Sequence, residues 1–256
     1  MVPGSDGLQT FWAKVEYDGT DFFGFQVQAN RRTVQGEIER ALERIAASKT
    51  RVVGAGRTDR GVHAEGQIIS FSMAWRHSLA DLQRALNAVL TSDVVVLELG
   101  LAPQGFHPRY GACRRVYRYT ILNRPWRSPL ERRTAWQIAR ELDVGWMSEA
   151  SGCLVGTHDF ATFGRPPQGQ NTVRTVFSAE WAVAGPRFTF EIEADAYLYR
   201  MVRSIVGTLV QVGWQQVSPD EFKGLLEAMD RSLVKLVAPA EGLCLMRVDY
   251  AAREGV

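Results

Sequence analysis

Apolar and polar positions along the chain follow two rhythms, a period of two that marks strands and a period near 3.6 that marks helices. Phe11 to Tyr17 alternates and predicts a strand. Thr33 has the chemistry of a helix N-cap, and Val34, Ile38, Leu42 and Ile45 follow it as one apolar stripe. Arg51 to Ala55 and Gln67 to Met73 read as two further strands. Ser78 and Asp81 make a capping-box pattern ahead of a helix that carries Leu79, Leu82, Leu86 and Leu90 on one side. Val94 to Leu99 closes the series as a strand. The order is β-α-β-β-α-β, the split βαβ arrangement.

The second half reads in the same way. Val116 to Leu122 predicts a strand, and a helix is expected around Val144 to Leu154. Val173 to Val183 and Phe188 to Glu193 pair as strands about the turn Ala184-Gly185-Pro186. A long helix is expected from about Tyr197 to Val212. Ser218, Pro219 and Glu221 supply an N-cap, a first-turn proline and an N3 acid for another helix. Leu243 to Tyr250 ends the series as a strand. Gly164 to Asn171 reads as an exposed loop, being too polar and too rich in proline and glycine for core. The fold class expected is α+β, with two related β-α-β-β-α-β halves forming a mixed, mainly antiparallel sheet flanked by helices. The boundary falls near Pro103 to Pro108, which gives halves of 1–105 and 106–256. Two such sheets side by side leave a cleft at their junction, a common place for a ligand.

Composition narrows the class. With 46% hydrophobic and 23% charged residues in 256, the chain has the make-up of a soluble globular protein. No apolar run approaches the roughly 20 residues a bilayer requires, so no membrane association is expected. Met1 to Thr10 is polar and lacks the basic start and apolar stretch of a signal peptide, so it reads as a short disordered tail on a cytoplasmic protein. Cys113, Cys153 and Cys244 lie far apart, as do His63, His77, His107 and His158. Neither set has the spacing of a disulfide framework or a metal site.

The net charge of +2 is uninformative, but its distribution is not. From Leu99 to Leu130 there are six arginines (Arg109, Arg114, Arg115, Arg118, Arg124 and Arg127) and no acidic residue. Phe106, Tyr110, Tyr117, Tyr119 and Trp126 interleave with them. Guanidinium groups meet phosphates and rings meet bases, so this stretch fits RNA; it equally fits an exposed basic strand.

Two segments carry candidate chemistry. Gly54 to His63 (GAGRTDRGVH) joins two apolar strands and is bounded by glycines, which permit a tight turn and a close ligand. Arg57 and Arg60 flank Asp59, and a carboxylate near cations stays ionised, as a nucleophile or an electrostatic stabiliser requires. The same composition describes an ordinary turn. In the helix beginning at Tyr197, the stripe Leu198, Met201, Val202, Ile205, Val206 and Leu209 is expected to be buried, and Arg203 is the only charge from Met201 to Trp214. A covered guanidinium needs an acid, and the chain offers Asp195 nearby or Asp59 at long range. Otherwise Arg203 snorkels to solvent.

Taken in order, these pieces resemble the tRNA pseudouridine synthase A family. The matching motifs begin with Tyr17-Asp18-Gly19-Thr20, Gln26 and Gln28, and Thr33-Val34-Gln35. Gly56-Arg57-Thr58-Asp59-x-Gly61-Val62-His63-Ala64 follows, then Phe106-His107-x-Arg109 and Arg115-x-Tyr117-Arg118-Tyr119. Gly156-x-His158-Asp159-Phe160, Thr172-Val173-Arg174-Thr175, Met201-Val202-Arg203 and Ala238-Pro239-Ala240-x-Gly242-Leu243 complete the set across nearly the whole chain. The resemblance implies a homodimer that isomerises uridine to pseudouridine at positions 38, 39 and 40 of the tRNA anticodon stem-loop, with tRNA as partner and no metal or organic cofactor. It implies Asp59 as the essential aspartate, Tyr117 as the tyrosine that stacks on the target base, and Arg203 as the basic partner of the aspartate. It implies a substrate-binding set of Gln26, Arg57, Thr58, His63, Arg109, Arg115, Arg118, His158 and Leu243. The chain departs from the family pattern at Arg60, where alanine is common, at Ser204, where asparagine is frequent, and at Arg200, where histidine is frequent.

Two other readings stand beside this one. An RNA-binding module of two β-α-β-β-α-β halves needs aromatics on its sheet but no Asp–Arg pair. A phosphate-handling enzyme has a use for the glycine-rich turn, although Gly56 to Gly61 lacks the P-loop lysine and precedes a strand.

Overall fold

A computed structural model describes residues 7–166 and 169–251. The chain divides into two compact units, 1–113 with 245–256 and 114–244. It leaves the first unit within one strand and returns to it within the last.

In the first unit, β1 (Leu8–Tyr17), α1 (Val34–Ala46), β2 (Val53–Gly54), β3 (His63–Ala74), α2 (Leu79–Val89) and β4 (Val94–Leu101) follow the expected order. The sheet runs β4-β1-β3, with β2 beside β3, all antiparallel. The last strand, β10 (Leu243–Tyr250), lies on the other side of β3. Burial explains the two rhythms. β1 buries Phe11, Ala13, Val15 and Tyr17 and turns the residues between them outward, whereas β3 is covered on both faces. Both expected caps form. The Thr33 side chain accepts from the Gly36 amide, and Ser78 and Asp81 make a reciprocal capping box. α1 buries Val34, Ile38, Ala41 and Leu42, each large aliphatic contributing about 1.5–3 kcal/mol. The disordered tail read into Met1 to Thr10 is corrected for its last three residues. Leu8, Gln9 and Thr10 are in β1, paired with Ala74, Met73 and Ser72, while residues 1–6 lie outside the described residues.

In the second unit, β5 (Ala112–Asn123) is followed by β6 (Trp136–Ile138), α3 (Val144–Gly152), β7 (Gly156–Asp159), β8 (Val173–Ala184), β9 (Arg187–Ala194), α4 (Met201–Gly213) and α5 (Pro219–Glu227). The strand order is β5-β9-β8-β7, antiparallel, and β6 joins β5 in parallel, which makes the sheet mixed. β6 and β7 have only three and four residues, too few to register as a period. The helices α3, α4 and α5 pack together. α5 has the expected capping box of Ser218 and Glu221 with Pro219 in its first turn.

Two expectations are corrected. The long helix begins at Met201, not near Tyr197, because Arg200 adopts a left-handed backbone (φ 64°). The residues before it are held elsewhere: the Tyr199 amide donates to the Arg165 carbonyl at 2.8 Å, and the Tyr197 hydroxyl donates to the Ile192 carbonyl at 2.8 Å. Nor is all of Gly164–Asn171 exposed. Gly164 is buried, and a Cβ on it would meet the Leu198 Cβ at 2.3 Å, so only glycine admits this contact. Residues 167 and 168 of that loop lie outside the described residues.

Candidate active site

The Asp59 loop is braced by the segment that follows β1. Asp59 opens a turn closed by the Val62 amide on the Asp59 carbonyl (3.1 Å), with Gly61 at φ 79° in the position a type II turn reserves for glycine. The buried Thr58 hydroxyl hydrogen-bonds the Tyr17 hydroxyl at 2.8 Å, and the Thr58 carbonyl accepts from the Phe25 amide at 3.1 Å. The Gly61 amide reaches the Phe22 carbonyl at 3.4 Å. Gly24 (φ 90°) lies so close that a Cβ there would meet the Thr58 carbonyl oxygen at 2.8 Å, and one on Gly19 would meet the Val62 carbonyl oxygen at 1.9 Å. This half-buried carboxylate thus sits on backbone that is hydrogen-bonded from beneath and sterically closed behind. Such preorganisation is what positions a reacting group.

The neighbours of Asp59 divide into braces and exposed groups. His63 is buried, and its Nδ1 lies 3.1 Å from the Gly19 amide and 3.2 Å from Asp18 Oδ1. The Gly19 amide donates to Nδ1. His63 then acts as a strut between the loop and Gly19. Arg57 and Gln26 are exposed. Arg60 is exposed as well, and its guanidinium lies 4.3 Å from the centre of the Phe23 ring, with Arg31 at 4.5 Å from the same ring. Arg109, also in this unit, donates its amide to His107 Nδ1 at 3.1 Å and lies 5.6 Å from the Tyr110 ring.

The second unit holds the tyrosines and Arg203. Tyr117 is buried on β5, edge-to-face with Tyr197 at 5.0 Å. Burial, reinforced by the neighbouring Tyr117 and Glu193, pushes the Tyr197 hydroxyl well above its ordinary pKa. Tyr119 is fully buried, donates to the Pro239 carbonyl at 2.8 Å, and is likewise raised well above the usual range, first by burial and then by Glu241, with Arg203 opposing. Arg203 is half-buried on α4. Its Nε donates to the Ala238 carbonyl at 2.7 Å, and the Ala238 amide returns a bond to the Arg203 carbonyl at 2.9 Å. Asp195 instead serves the backbone: Oδ1 accepts from the Thr175 and Ala196 amides at 3.1 and 2.6 Å. The buried Leu243 follows directly on Gly242, whose absent Cβ leaves room for the Tyr119 ring.

The arginines of β5 are less available than the sequence implies, because β9 faces them with acids. Arg118 pairs with Glu191 at 2.9 Å and Arg114 with Glu193 at 2.7 Å, while Arg115 donates to the Asp195 carbonyl at 2.5 Å. Two arginines of the acid-free run are therefore offset by acids on a strand that is distant in sequence. His158, on β7, contacts the Val155 carbonyl at 3.1 Å and packs edge-to-face on Phe160, a structural setting. The sequence motifs give no role to Tyr197. The string Tyr17-Asp18-Gly19-Thr20 and the aromatic loop Phe22 to Phe25 that follows it are the sequence signals for the brace, read there as RNA-contacting or packing. Among the described residues no group of three or more His, Cys, Asp or Glu side chains is placed to hold a metal, and no helix is long and apolar enough to cross a membrane.

Comparison with known proteins agrees with this picture. The family model described as tRNA pseudouridine synthase matches residues 13–111 and 150–251. The tRNA pseudouridine synthase A of Roseiflexus castenholzii is 44% identical over 241 residues, covering 93% of this chain and 89% of that protein. Proteins of the same name from Geobacter sp. (strain M21) and Borrelia turicatae are 41% and 38% identical, over 92% and 93% of this chain and 96% and 98% of theirs. Among solved structures, an archaeal box H/ACA sRNP Nop10-Cbf5 complex aligns with a TM-score of only 0.36 at 12% identity, over 78% of this chain and 44% of that one, and the assignment does not rest on it. With matched segments spanning most of its length and relatives at this level of identity, the chain belongs to the tRNA pseudouridine synthase family.

Proposed function

We propose that the protein isomerises uridine to pseudouridine at positions 38, 39 and 40 of the tRNA anticodon stem-loop, with Asp59 as its catalytic carboxylate. The observation that carries this reading is the braced turn at Asp59, held by Tyr17, Phe22, Phe25 and Gly24 within the motif Gly56-Arg57-Thr58-Asp59. In the reaction the C1′–N1 bond of uridine breaks, the freed uracil turns, and C1′ joins C5; the C5 proton is lost and N1 gains one. Extruding the base from its stack costs a few kcal/mol, which stacking on an aromatic ring offsets. Tyr117 is the ring assigned to that role, and it is also the candidate base for the C5 proton. Arg203 is assigned to keep the carboxylate ionised and oriented. Asp59 acts either by attack on the nucleotide or by taking a proton from the ribose, and both routes need it ionised. Gln26, Arg57, Thr58, His63, Arg109, Arg115, Arg118, His158 and Leu243 are the assigned substrate-binding and supporting positions. A cytoplasmic homodimer acting on tRNA, with no further cofactor, completes the proposal.

The test is to incubate the parent and Asp59→Ala with an unmodified tRNA transcript and to map pseudouridine by position. The parent should modify anticodon-stem uridines. The variant should bind the transcript but lose at least about 100-fold in turnover, the scale of a lost acid–base or nucleophilic group. A parent that binds several tRNAs and leaves every uridine unchanged would favour the binding-module reading.

A further inference from the structure

Several arginines meet an acid, as Arg32, Arg114, Arg118 and Arg187 do. Arg165, Arg200 and Arg231 do not. None of the three has an ion pair among the described residues, yet they gather in one place in the second unit. The Arg165 carbonyl accepts the Tyr199 amide at 2.8 Å, which brings Arg165 beside Tyr199 and Arg200. Arg231 opens the short 3-10 turn Arg231–Leu233 and is half-buried, and its Nη1 is covered but has no hydrogen-bond partner. Burial, and after it the proximity of Arg165 and Arg200, holds the Arg231 guanidinium below its ordinary pKa.

Arg200 adds two observations. It is the N-cap of α4 in a left-handed backbone conformation that side chains other than glycine rarely adopt, and it makes no side-chain cap. The N-terminus of this 13-residue helix is therefore left without a side-chain acceptor, and helix N-termini attract anions through their amides and dipole. Three cations held together by the fold, one of them partly desolvated, repel one another unless a negative group enters. Strained backbone of this kind persists where the surroundings impose it, and it concentrates at ligand sites.

We propose that Arg165, Arg200 and Arg231, at the N-terminus of α4, form a phosphate site that takes one backbone phosphodiester of the RNA substrate. The guanidinium fork matches phosphate oxygens in pairs, which fits Arg over Lys at all three positions. Arg203 follows Arg200 by one helical turn, so the phosphate bound here belongs to a nucleotide close to the one that Arg203 serves. Tyr199, 49% exposed and with its ring centre 5.1 Å from the Arg200 guanidinium, offers an aromatic face beside it. This assignment rests on the proposed action on tRNA.

The experiment measures tRNA dissociation constants across a range of KCl concentrations for the parent, for Arg165→Gln/Arg200→Asn, for Arg231→Gln, and for Arg44→Gln as a charge-matched control on the exposed side of α1. Asparagine at position 200 is chosen because it tolerates the left-handed backbone. The double variant should bind about tenfold more weakly, and its salt dependence should be shallower by about 0.7–0.9, the value of one released phosphate contact. Arg231→Gln should change both in the same direction, and Arg44→Gln should change neither. Inorganic phosphate alone should raise the Tm of the parent but not that of the double variant. An unchanged affinity and slope in the double variant would overturn the proposal, as would an equal loss in Arg44→Gln. Stabilisation by phosphate without any effect on tRNA affinity would mean a free-anion site and would also refute the RNA assignment. If the parent itself neither binds nor modifies tRNA, the functional reading fails first and this one with it, a result distinct from failure of the variants alone.

Discussion

Gly24 and Gly56 both border Asp59, but the structure separates their fates under the same substitution. At Gly24 the backbone has φ 90°, and a Cβ would stand 2.8 Å from the Thr58 carbonyl oxygen and 3.3 Å from both the Arg60 nitrogen and the Asp59 carbonyl carbon. These are backbone atoms, which cannot rotate aside as a side chain does. Adopting positive φ costs alanine about 1–2 kcal/mol. Relieving the contact requires the Asp59 turn to retreat by about half an ångström, and overpacking of this kind costs about 1–3 kcal/mol. Gly24→Ala should therefore destabilise by about 2–5 kcal/mol in urea unfolding. It should also slow single-turnover pseudouridine formation at saturating tRNA by about tenfold, since a 1 Å misplacement costs about 100-fold. Gly56 has no atom within 4 Å of a Cβ and no positive φ. Gly56→Ala should unfold within about 0.5 kcal/mol of the parent, as an unstrained surface change does. If Gly24→Ala kept full turnover and stability within about 0.5 kcal/mol, the bracing of Asp59 from behind would be wrong. An equal loss in Gly56→Ala would show that alanine at either glycine acts by something other than this contact.

Two further predictions follow from other parts of the fold. Arg32 grips Asp93 with two nitrogens, at 2.7 and 2.9 Å, and Thr91 donates to the same carboxylate at 2.7 Å. Burial opposes the charge, but these hydrogen bonds outweigh it and hold the Asp93 carboxyl below its ordinary range. A depressed folded-state pKa means that the stabilisation is complete above the unfolded value, ~3.9, and is lost as pH falls through the lower, folded one. Asp93→Asn should cost about 1–2 kcal/mol at pH 7. The gap between parent and variant in urea titrations should hold down to about pH 4 and close only below it; a gap that closes between pH 5 and 7 would contradict the assignment. Cys153 is half-buried, and burial pushes its thiol up to about 11, whereas Cys113 is exposed. Alkylation at pH 8 read by mass spectrometry should label Cys113 well before Cys153 in the native protein, and the two should react at similar rates in urea. Faster labelling of Cys153 in the folded state would refute its burial.

The sequence by itself determined the parts of this protein that depend on neighbours within a turn or two. The stripe of α1, the caps at Thr33, Ser78 and Ser218, and the strand alternation of β1 and β9 are all set over a few residues, and each forms where the pattern puts it. Motif order carried the family and pointed to Asp59. What the tertiary structure alone decided are contacts between residues far apart in sequence. The Tyr17–Thr58 hydrogen bond spans 41 positions, and the glycines at 19 and 24 matter only because the turn at 58–62 packs against them. Glu191 and Glu193 offset a basic run some 75 residues earlier because β9 pairs with β5. Arg200 breaks the helix at a place the apolar stripe runs straight through, because Tyr199 is held by Arg165. Periodicity records which face is buried; it does not record what that face meets, and that is decided only when the sheet registers and close backbone approaches are in place.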